Sequence, residues 1–393
     1  MAATADEAVI NSDGIIRPSS ADPALQEAFL PTKGRENHAS FLLALSNGDL
    51  ACVWFAGTEE GQPDVSIFFS SLAAGADRWS EEVQISDDTS RSEQNPVLFE
   101  TPNGELWVIY TAQKIDGQDT SIVRRRISTD FGKSWGPIET LFDEPGLFIR
   151  QPIVAMDNGE WLLPVFHCRP IQGESWHGHN DVSAVKISSD RGRSWTEYPV
   201  PDSLGAVHMD VLEVGSGKLI GLFRSRYADA IKRSESTDYG RTWTEPRPIA
   251  VPNNNSSIQA RRLADGTIAL VYNHTSASFA PGKDTSIEPA AIEPPAPDGK
   301  GIRRAVWGIQ RAPLSIALST DEGQTFPVHR VIEAGDRKLL NNDSPKLERR
   351  KRELSYPSVM QTADGAINVT YTYFREAIKH VRFAKDWISG ERA

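Results

Sequence analysis

The sequence has little of what stabilises small secreted domains or anchors a chain in a membrane. Only two of its 393 residues are cysteines. Both Cys52 and Cys168 lie in apolar segments, which predicts buried free thiols rather than a disulfide. No apolar run approaches the ~20 residues of a membrane-spanning helix, and the N-terminus has neither the basic start nor the apolar stretch of a signal peptide. We therefore expect a cytoplasmic protein with no membrane partner.

Positive charge is also in short supply. The chain has 42 Lys and Arg residues against 53 Asp and Glu residues, which gives a net charge of −11. A nucleic-acid partner requires a basic surface that neutralises phosphates, so this balance argues against nucleic acid as a main partner. The sequence also has no glycine-rich phosphate loop and no Ser-His-Asp nucleophile motif. We expect no cofactor.

An eight-residue pattern, S-x-D-x-G-x-[ST]-[WF], occurs four times in the sequence. It is typical of a tight turn between two strands, because the Asp accepts hydrogen bonds from turn amides and the Gly adopts a positive φ. The final aromatic side chain can pack under the turn as a plug. We therefore expect these aspartates to be structural and not catalytic. The four copies begin at Ser128, Ser188, Ser236 and Ser319.

A second repeat is offset from the first. It consists of an apolar strand, a turn centred on Asn-Gly, Asp-Gly or a variant, and another apolar strand, which is a strong hairpin signal. The intervals between successive turn glycines are 56, 55, 58, 49 and 99 residues. An insertion at residues 276–304, rich in Pro, Ala and charge, accounts for the long interval and is expected to be a loop in the fifth unit. The turn glycines are Gly48, Gly104, Gly159, Gly217, Gly266 and Gly365.

The two repeats together predict the fold. Six units of four antiparallel strands around an axis make an all-β, six-bladed β-propeller, with residues 1–393 forming a single domain. The regularity of the units disfavours a two-sheet sandwich. The last unit, from Tyr356 to about Phe383, is too short for four strands. We expect a strand near Ile15 or Phe29 in the N-terminal segment to complete it, because an open propeller would leave unpaired edges.

The S-x-D-x-G-x-[ST]-[WF] turns resemble the Asp-boxes, or BNR repeats, of the sialidase (neuraminidase) superfamily. The resemblance extends from about Asn37 to Arg382 and is greatest to the sialidase-like group described as predicted neuraminidases. It implies a propeller enzyme that binds a carbohydrate or another small acidic ligand. The expected activity is that of an exo-acting glycoside hydrolase on a terminus that contains sialic or uronic acid. The Asp-box is specific for the fold and only weakly specific for activity.

Sialidases use a tyrosine nucleophile and an aspartate acid/base, since an anionic sugar repels a carboxylate nucleophile. The resemblance implies that Tyr356, at the start of the last unit, is the nucleophile or base. It implies that Asp64, ahead of the first outer turn, is the acid/base. Asp210 and Glu353 are the alternatives for the carboxylate that polarises Tyr356.

Sialidases also hold the substrate carboxylate with three arginines. Arg224 or Arg226 matches one of them and Arg311 another, and such a pair can clamp a carboxylate. At the position of the first family arginine, ten residues before the first turn glycine, this sequence has His38. A histidine there is a candidate acid/base or substrate contact.

Polar residues also begin the inner strands, and six such segments would converge on one pocket.

A further loop contains the motif His177-Gly178-His179, downstream of His167. Metal binding is one reading of this loop, but we prefer substrate contacts and expect no metal site. A basic run at residues 346–352 is expected to be a solvated connection. Further expected substrate contacts are Gln94, Asn95, Arg150, Trp176, His208, Asn255 and Tyr373.

Two rival functions stay open. One is a lyase or rhamnosidase directed at rhamnose–glucuronate linkages on the same scaffold, in which His38 or Tyr356 would remove the proton next to the carboxylate. The other is a non-hydrolytic propeller, either a binding module or an enzyme of small-molecule metabolism. The departure at His38 and the expected location both favour this second rival.

Overall fold

A computed structural model of the chain describes residues 10–115, 117–278, 296–335 and 353–390. Six antiparallel sheets of four or five strands form the blades of a β-propeller, which confirms the predicted all-β fold. The Asn/Asp-Gly turns connect the strands of the inner hairpin in each blade, and the S-x-D-x-G turns connect the outer strands of four blades. No described helix is long and apolar enough to span a membrane.

The first three blades follow one another in sequence after two short N-terminal strands, β1 (Arg17–Pro18) and β2 (Gln26–Phe29). Blade I contains β3 (Glu36–Ala44), β4 (Leu50–Gly57), β5 (Ser66–Leu72) and β6 (Val83–Gln84). Blade II contains β7 (Ser92–Glu100), β8 (Leu106–Lys114), β9 (Gly117–Ser128) and β10 (Glu139–Phe142). Blade III contains β11 (Leu147–Phe148), β12 (Val154–Ala155), β13 (Trp161–His167), β14 (Val182–Ser188) and β15 (Thr196–Pro199).

The remaining blades complete the ring. Blade IV contains β16 (Ala206–Gly215), β17 (Lys218–Ser225), β18 (Ala230–Ser236) and β19 (Arg247–Pro252). Blade V contains β20 (Gln259–Arg262), β21 (Ile268–Asn273), β22 (Leu314–Ser319) and β23 (Val328–Glu333). Blade VI contains β24 (Leu354–Gln361), β25 (Ile367–Tyr373) and β26 (Ala377–Phe383), and a short helix, α1 (Asp386–Ser389), follows it.

The N-terminal strands close the ring, as predicted. Strand β2 pairs with β26 and places Phe29 opposite Lys379, so blade VI has the order β1-β2-β26-β25-β24. The alternative strand near Ile15 instead forms an isolated bridge to Arg78 beside blade I. Helix α1 adds a second closing contact, because the Trp387 indole N–H donates a hydrogen bond of 2.8 Å to an Asp22 carboxylate oxygen.

The S-x-D-x-G turns have the structural role expected of them. In blade IV, one oxygen of Asp238 accepts hydrogen bonds from the Ser236 hydroxyl and the Thr242 amide, at 2.8 and 2.9 Å. Gly240 has a φ of 82° and donates its amide to the Ser236 hydroxyl oxygen at 2.9 Å. The Trp243 side chain is buried in the core between blades III and IV. The turn is thus held by contacts within eight residues.

The inner strands share an irregularity that the repeats did not reveal. The pairing register shifts near the start of β3, β7, β16 and β24. A residue with a left-handed backbone conformation lies at each shift, and another precedes β20. Such bulges re-aim side chains, and here they turn the strand starts toward the propeller axis. The five residues and their φ values are Ala39 (57°), Asn95 (51°), His208 (53°), Asn255 (59°) and Tyr356 (51°).

Two further expectations concern single residues and the insertion. Both cysteines are buried and unbonded to each other, as predicted. Residues 276–278 and 296–304, the described parts of the insertion in blade V, contain no strand. The central part of that insertion and the basic run at 346–352 lie outside the described residues.

Candidate active site

A cavity of about 830 Å³ opens where the bulges of the inner strands converge. Four of the five residues with a left-handed backbone conformation line it, and it draws side chains from all of the blades. Its lining residues are Glu60, Asn95, Gln118, Phe148, His208, Arg224, Arg226, Asn254, Asn255, Trp307, Gly308, Ile309, Gln310, Arg311, Glu353, Tyr356 and Arg375.

Tyr356 and Arg224 form the central contact of the cavity. Both side chains are buried, and Arg224 Nη1 donates a hydrogen bond of 2.7 Å to the Tyr356 phenol oxygen. Arg224 Nε donates to the Asn255 side-chain oxygen at 2.8 Å. Within the described chain no carboxylate pairs with Arg224, and its Nη2 atom has no hydrogen-bond partner. Burial lowers the pKa of Arg224 to about 9.

The cationic surroundings of Tyr356 favour its ionised form. Burial alone would raise the pKa of the phenol, but the charges of Arg224, Arg311 and, less strongly, Arg226 outweigh burial and the opposing charge of Glu60. The net result is a pKa below the ordinary value of a tyrosine. The phenol is therefore prepared to act as a nucleophile or base closer to neutral pH.

His208 is a neutral neighbour of this pair. Burial, followed by the charges of Arg224 and other arginines, lowers its pKa well below the ordinary value. Its Nδ1 atom lies 3.2 Å from the Ser257 hydroxyl oxygen and its Nε2 atom 3.4 Å from Arg224 Nη1. A neutral ring that donates from Nδ1 to Ser257 accepts from Arg224 at Nε2. His208 therefore helps to orient the guanidinium and adds no charge.

Arg226, the alternative to Arg224, is already neutralised. Its Nε and Nη2 atoms donate to one oxygen of the buried Asp181, at 3.0 and 2.7 Å. The Trp176 indole N–H donates to the other Asp181 oxygen at 2.9 Å. A carboxylate ligand would have to compete with this buried ion pair, so Arg224 is the better of the two candidate clamps.

Carboxylates lie on the other side of the cavity, around Glu353. One Glu353 oxygen accepts hydrogen bonds of 2.9 Å from Arg311 Nη1 and from Arg375 Nε. Arg375 also donates from Nη1 to Glu60 at 2.7 Å. Glu353 was one alternative for the group that polarises Tyr356. Its described partners include these two arginines and Ser355, whereas the phenol is bonded to Arg224.

His38 lies against the ring of Tyr356 and does not line the cavity. Its ring centroid is 4.3 Å from that of Tyr356 and 5.3 Å from that of Phe55, and only 1% of the residue is exposed. Its Nδ1 atom is 2.8 Å from the Thr372 hydroxyl oxygen and 3.9 Å from a Glu353 carboxylate oxygen. In this arrangement His38 packs against Tyr356.

The two aspartates predicted to be catalytic, Asp64 and Asp210, do not line the cavity. Asp64 is exposed and holds its own loop, since its two oxygens accept from the Thr58 amide and hydroxyl at 2.8 and 2.9 Å. Asp210 is buried and accepts from the Ala260 amide at 2.6 Å. Burial raises the pKa of Asp210 to about 6, against the opposing effects of that hydrogen bond and of nearby arginines. Neither residue contacts the Tyr356 phenol.

Several expected substrate contacts also lie outside the cavity lining. Gln94 is buried and its amide donates to the Ser92 hydroxyl oxygen at 2.9 Å. Tyr373 packs on Phe29 with ring centroids 5.0 Å apart, next to the ring-closing strand. The Arg150 guanidinium lies against the ring of Tyr356, and the Trp176 indole is hydrogen-bonded to Asp181. By contrast, the structure does bring Asn95, His208, Asn255 and the three clamp arginines Arg224, Arg226 and Arg311 to the cavity.

Sequence reasoning missed Glu60, Arg375 and Trp307. Glu60 carried a usable signal, because it is on the same loop as Asp64 and four residues before it. Trp307 lies four residues before Arg311 and is 44% exposed, which is unusual for a tryptophan. Arg375 gave no signal, since its partners are distant in sequence: Glu60 is separated from it by 315 positions.

The loop that carries His177 and His179 packs against the segment that contains Trp307, which lines the cavity. The Trp307 indole N–H donates to the His177 carbonyl at 3.1 Å, and the Ala305 amide donates to His179 Nδ1 at 2.9 Å. Gly178 has a φ of 78°, and a Cβ there would lie 3.3 Å from the Trp307 ring. These two contacts join segments of blades III and V.

Outside the cavity, His167 belongs to a charged cluster on blade III. Its side-chain nitrogens lie 3.4 Å from Glu144 and 2.9 Å from Glu197, and these three groups have the donor types of a metal site. The ammonium group of Lys186 lies 2.7 Å from the same Glu197 side chain. This ammonium already supplies the positive charge that the carboxylates require, so the cluster is an ion-pair network.

The arrangement of the blades and the cavity agrees with the matched family. A model of the BNR repeat-like domain family matches residues 48–369, more than half of the chain. The chain belongs to this family of the sialidase superfamily. A sialidase from Micromonospora viridifaciens is 23% identical over 422 aligned positions, which cover 91% of this chain. The chain spans only 61% of the length of that BNR-type relative.

Solved structures show the same family fold. The Hadza microbial sialidase Hz136 superposes with a TM-score of 0.66 at 14% identity, over 90% of this chain and 67% of that one. A protein of unknown function from Dyadobacter fermentans superposes with a TM-score of 0.65 at 16% identity, over 92% and 99% of the two chains. At these identities the likeness establishes the propeller architecture of this BNR-family chain.

Proposed function

We propose that this protein is a glycan-active enzyme that removes an acidic sugar, containing a sialic or uronic acid, from the end of a glycan. The observation that carries the proposal is the buried contact between Arg224 and the Tyr356 phenol at the centre of the cavity. It combines a cation for a substrate carboxylate with a group that can attack the sugar. The sialidases among the relatives support the same reaction class.

The charges of the cavity support an anionic substrate. Arg224 has no carboxylate partner among the described residues, and Arg311 shares Glu353 with Arg375. A substrate carboxylate would therefore meet the Arg224 guanidinium, which has no carboxylate partner in the described structure. It would also meet the Arg311 guanidinium, whose charge is partly neutralised by Glu353. Charge-assisted hydrogen bonds of this kind are among the strongest polar contacts that a protein can offer. A neutral sugar would leave the Arg224 charge buried and unpaired.

We assign the chemical step to Tyr356 and Glu60. The ionised Tyr356 oxygen attacks the anomeric carbon, the glycosidic bond breaks, and the departing oxygen takes a proton from the acid/base group. Water then attacks the same carbon, gives its proton back to the acid/base and releases Tyr356. We place Glu60 in the acid/base role in preference to Asp64, because Glu60 lines the cavity.

Elimination from a uronate is the second candidate, and one observation favours it. The side chain beside Arg224 and Tyr356 is His208, which is buried and uncharged. The described contacts of the Tyr356 phenol include no carboxylate that would accept the phenol proton. An ionised Tyr356 could instead remove the proton next to a uronate carboxylate. The bond to the neighbouring leaving oxygen would then break and leave an unsaturated uronate.

A substrate screen distinguishes these reactions. We expect the purified protein to release methylumbelliferone from the conjugate of N-acetylneuraminate or of glucuronate, and not from the rhamnoside. Rhamnosyl-glucuronate oligosaccharides, followed by ultraviolet absorbance, report elimination through the unsaturated product. No turnover of any substrate, together with no thermal stabilisation by any acidic sugar, would contradict the proposal and favour the non-hydrolytic alternative.

Three variants test the residue roles. We expect Tyr356→Phe and Glu60→Gln each to lower kcat by at least ~10²-fold while the protein still folds, as circular dichroism would show. The loss in Glu60→Gln should be larger on a sialylated oligosaccharide than on the methylumbelliferyl substrate, whose leaving group needs less protonation. Asp64→Asn is the matched control and should retain activity. Loss of turnover in Asp64→Asn, with a normal Glu60→Gln enzyme, would return the acid/base role to Asp64.

A further inference from the structure

Arg150 is a buried cation that forms no direct ion pair with the described residues, although the Asp210 carboxylate lies close enough to interact with its charge. It is 1% exposed, and no ion pair to it occurs in the described parts of the chain. Its Nε and Nη1 atoms also have no hydrogen-bond partner there. Burying an arginine in this way is unfavourable, so its retention calls for a compensating interaction. The phenol ring of Tyr356 lies against it, with the guanidinium carbon 5.4 Å from the ring centroid.

The remaining guanidinium nitrogen binds the backbone of two inner strands. Arg150 Nη2 donates to the carbonyl oxygens of Ser40 at 3.0 Å and of Tyr356 at 3.2 Å. Ser40 follows Ala39 in the bulge of β3, and Tyr356 is the bulge residue of β24. Bulky side chains rarely adopt a φ near 51°, so the conformation of Tyr356 must be held by its surroundings. Arg150 thus connects the bulges of β3 and β24 through its guanidinium group.

We propose that Arg150 is the positioning residue of Tyr356, which fixes the two bulges and places a further cation against its ring, in addition to Arg224 and Arg311. The proposal deepens the proposed function and rests on it for the role of Tyr356. Arg150 does not line the cavity, so it acts on the substrate only through that side chain.

Other charged or titratable groups also face the phenol, and the test must separate Arg150 from them. Two imidazoles pack on its ring, the cations approach from blade IV and from the segment before β22, and an acidic side chain comes from the loop after β4. These groups are His38, His208, Arg224, Arg226, Arg311 and Glu60.

The ionisation of Tyr356 can be measured without any substrate. Tyrosine labelled with ¹³C at Cζ reports the phenolate by NMR, and Tyr356→Phe assigns the signal. We expect Arg150→Gln, which keeps a donor for the two carbonyls but loses the charge, to raise the titration midpoint by about one pH unit or more. Arg150→Lys keeps the charge and should stay closer to the wild-type midpoint.

Arg126→Gln is the matched control. Arg126 also donates to backbone carbonyls, those of Gly136, Ile85 and Trp135, but lies on β9. The Tyr356 midpoint should not move in this variant. An unchanged midpoint in folded Arg150→Gln would overturn the proposal. Failure of Arg150→Gln to fold, with Arg126→Gln folded, would also overturn it in favour of a general structural role.

The same variants keep this inference separate from the proposed function. If turnover is found, Arg150→Gln should lower kcat with little change in KM, since Arg150 touches no bound ligand. If no substrate is turned over, the NMR titration still decides the role of Arg150. A shifted midpoint without turnover would retain the positioning role and reject only the glycosidase.

Discussion

At the scale of single residues, the arginines around the cavity differ chiefly in how their charge is compensated. Asp181 neutralises Arg226 through two hydrogen bonds, and Glu353 is shared between Arg311 and Arg375. Arg224 has only neutral or phenolic partners in the described structure. The number of arginines in a pocket is therefore a poor guide to how many of them can hold an anion.

This difference predicts unequal effects of one conservative substitution. Arg224→Lys should weaken the binding of N-acetylneuraminate or glucuronate by about 10-fold or more, because lysine cannot reproduce the planar fork of arginine. Arg226→Lys should have a much smaller effect on affinity, since Arg226 is occupied by Asp181. Isothermal titration calorimetry of both variants checks this. Equal losses in the two variants would mean that Arg226 leaves Asp181 to bind the ligand.

At the scale of elements, the S-x-D-x-G turns and the left-handed bulges of the inner strands have different roles. The S-x-D-x-G turns hold the outer strands through contacts between neighbours in sequence, as Asp238 does with Ser236 and Thr242. The left-handed bulges of the inner strands instead depend on long-range contacts, such as those of Arg150 with Tyr356. Stability and function are thus placed at opposite ends of the same blades.

The turns should matter for stability and not for activity. Replacing Asp238 with Ala removes three hydrogen bonds of 2.7 to 2.9 Å and should cost about 1–2 kcal/mol in the free energy of unfolding. Urea unfolding measures this cost. Turnover at a temperature well below the transition should be unchanged, and a selective loss of turnover would contradict the structural assignment.

Acid should weaken the same turns. Hydrogen bonds from the turn Ser side chain and amide lower the pKa of Asp130 and of Asp190 to about 2. A depressed pKa means that the folded state favours the carboxylate, so the stabilisation is complete above the unfolded value of ~4. It declines as the pH falls from about 4 toward 2. In Asp190→Asn this part of the acid dependence should be reduced, as thermal unfolding between these pH values would show.

At the scale of the whole molecule, ring closure depends on the chain segment before the first blade. Strand β2 supplies an outer strand to blade VI, and Leu25 and Leu30 are buried beside it. Trp387 and Asp22 add a hydrogen bond between the two ends of the described chain. This pairing covers the edge of β26, which would otherwise be exposed.

Deleting residues 1–30 should therefore destabilise the entire propeller. The two leucines alone contribute about 1.5–3 kcal/mol each, so we expect a loss of at least ~3 kcal/mol in urea unfolding, accompanied by aggregation through β26. A deletion of residues 1–9 keeps both N-terminal strands and is the control. If the longer deletion unfolds like the shorter one, the N-terminal strand does not close the ring.

The sequence by itself determined the fold and part of the site. Turns such as Asn47-Gly48 and the S-x-D-x-G segments are built from contacts within a few residues, so their physics can be read locally. The sixfold recurrence of the Asn/Asp-Gly-type turns predicted the blades and the need for an N-terminal closing strand. The resemblance to the sialidase superfamily also identified Tyr356, Arg224 and Arg311 as candidate site residues, and all three line the cavity.

The tertiary structure alone decided which of these groups are available. Asp181 lies 45 positions from Arg226 and neutralises it, whereas Asp64 is tied to Thr58 in its own loop. Glu60 reaches the cavity through an ion pair with Arg375, 315 positions away. Such partners are fixed by how six blades pack around the axis, and the spacing of residues along the chain carries no record of those distances.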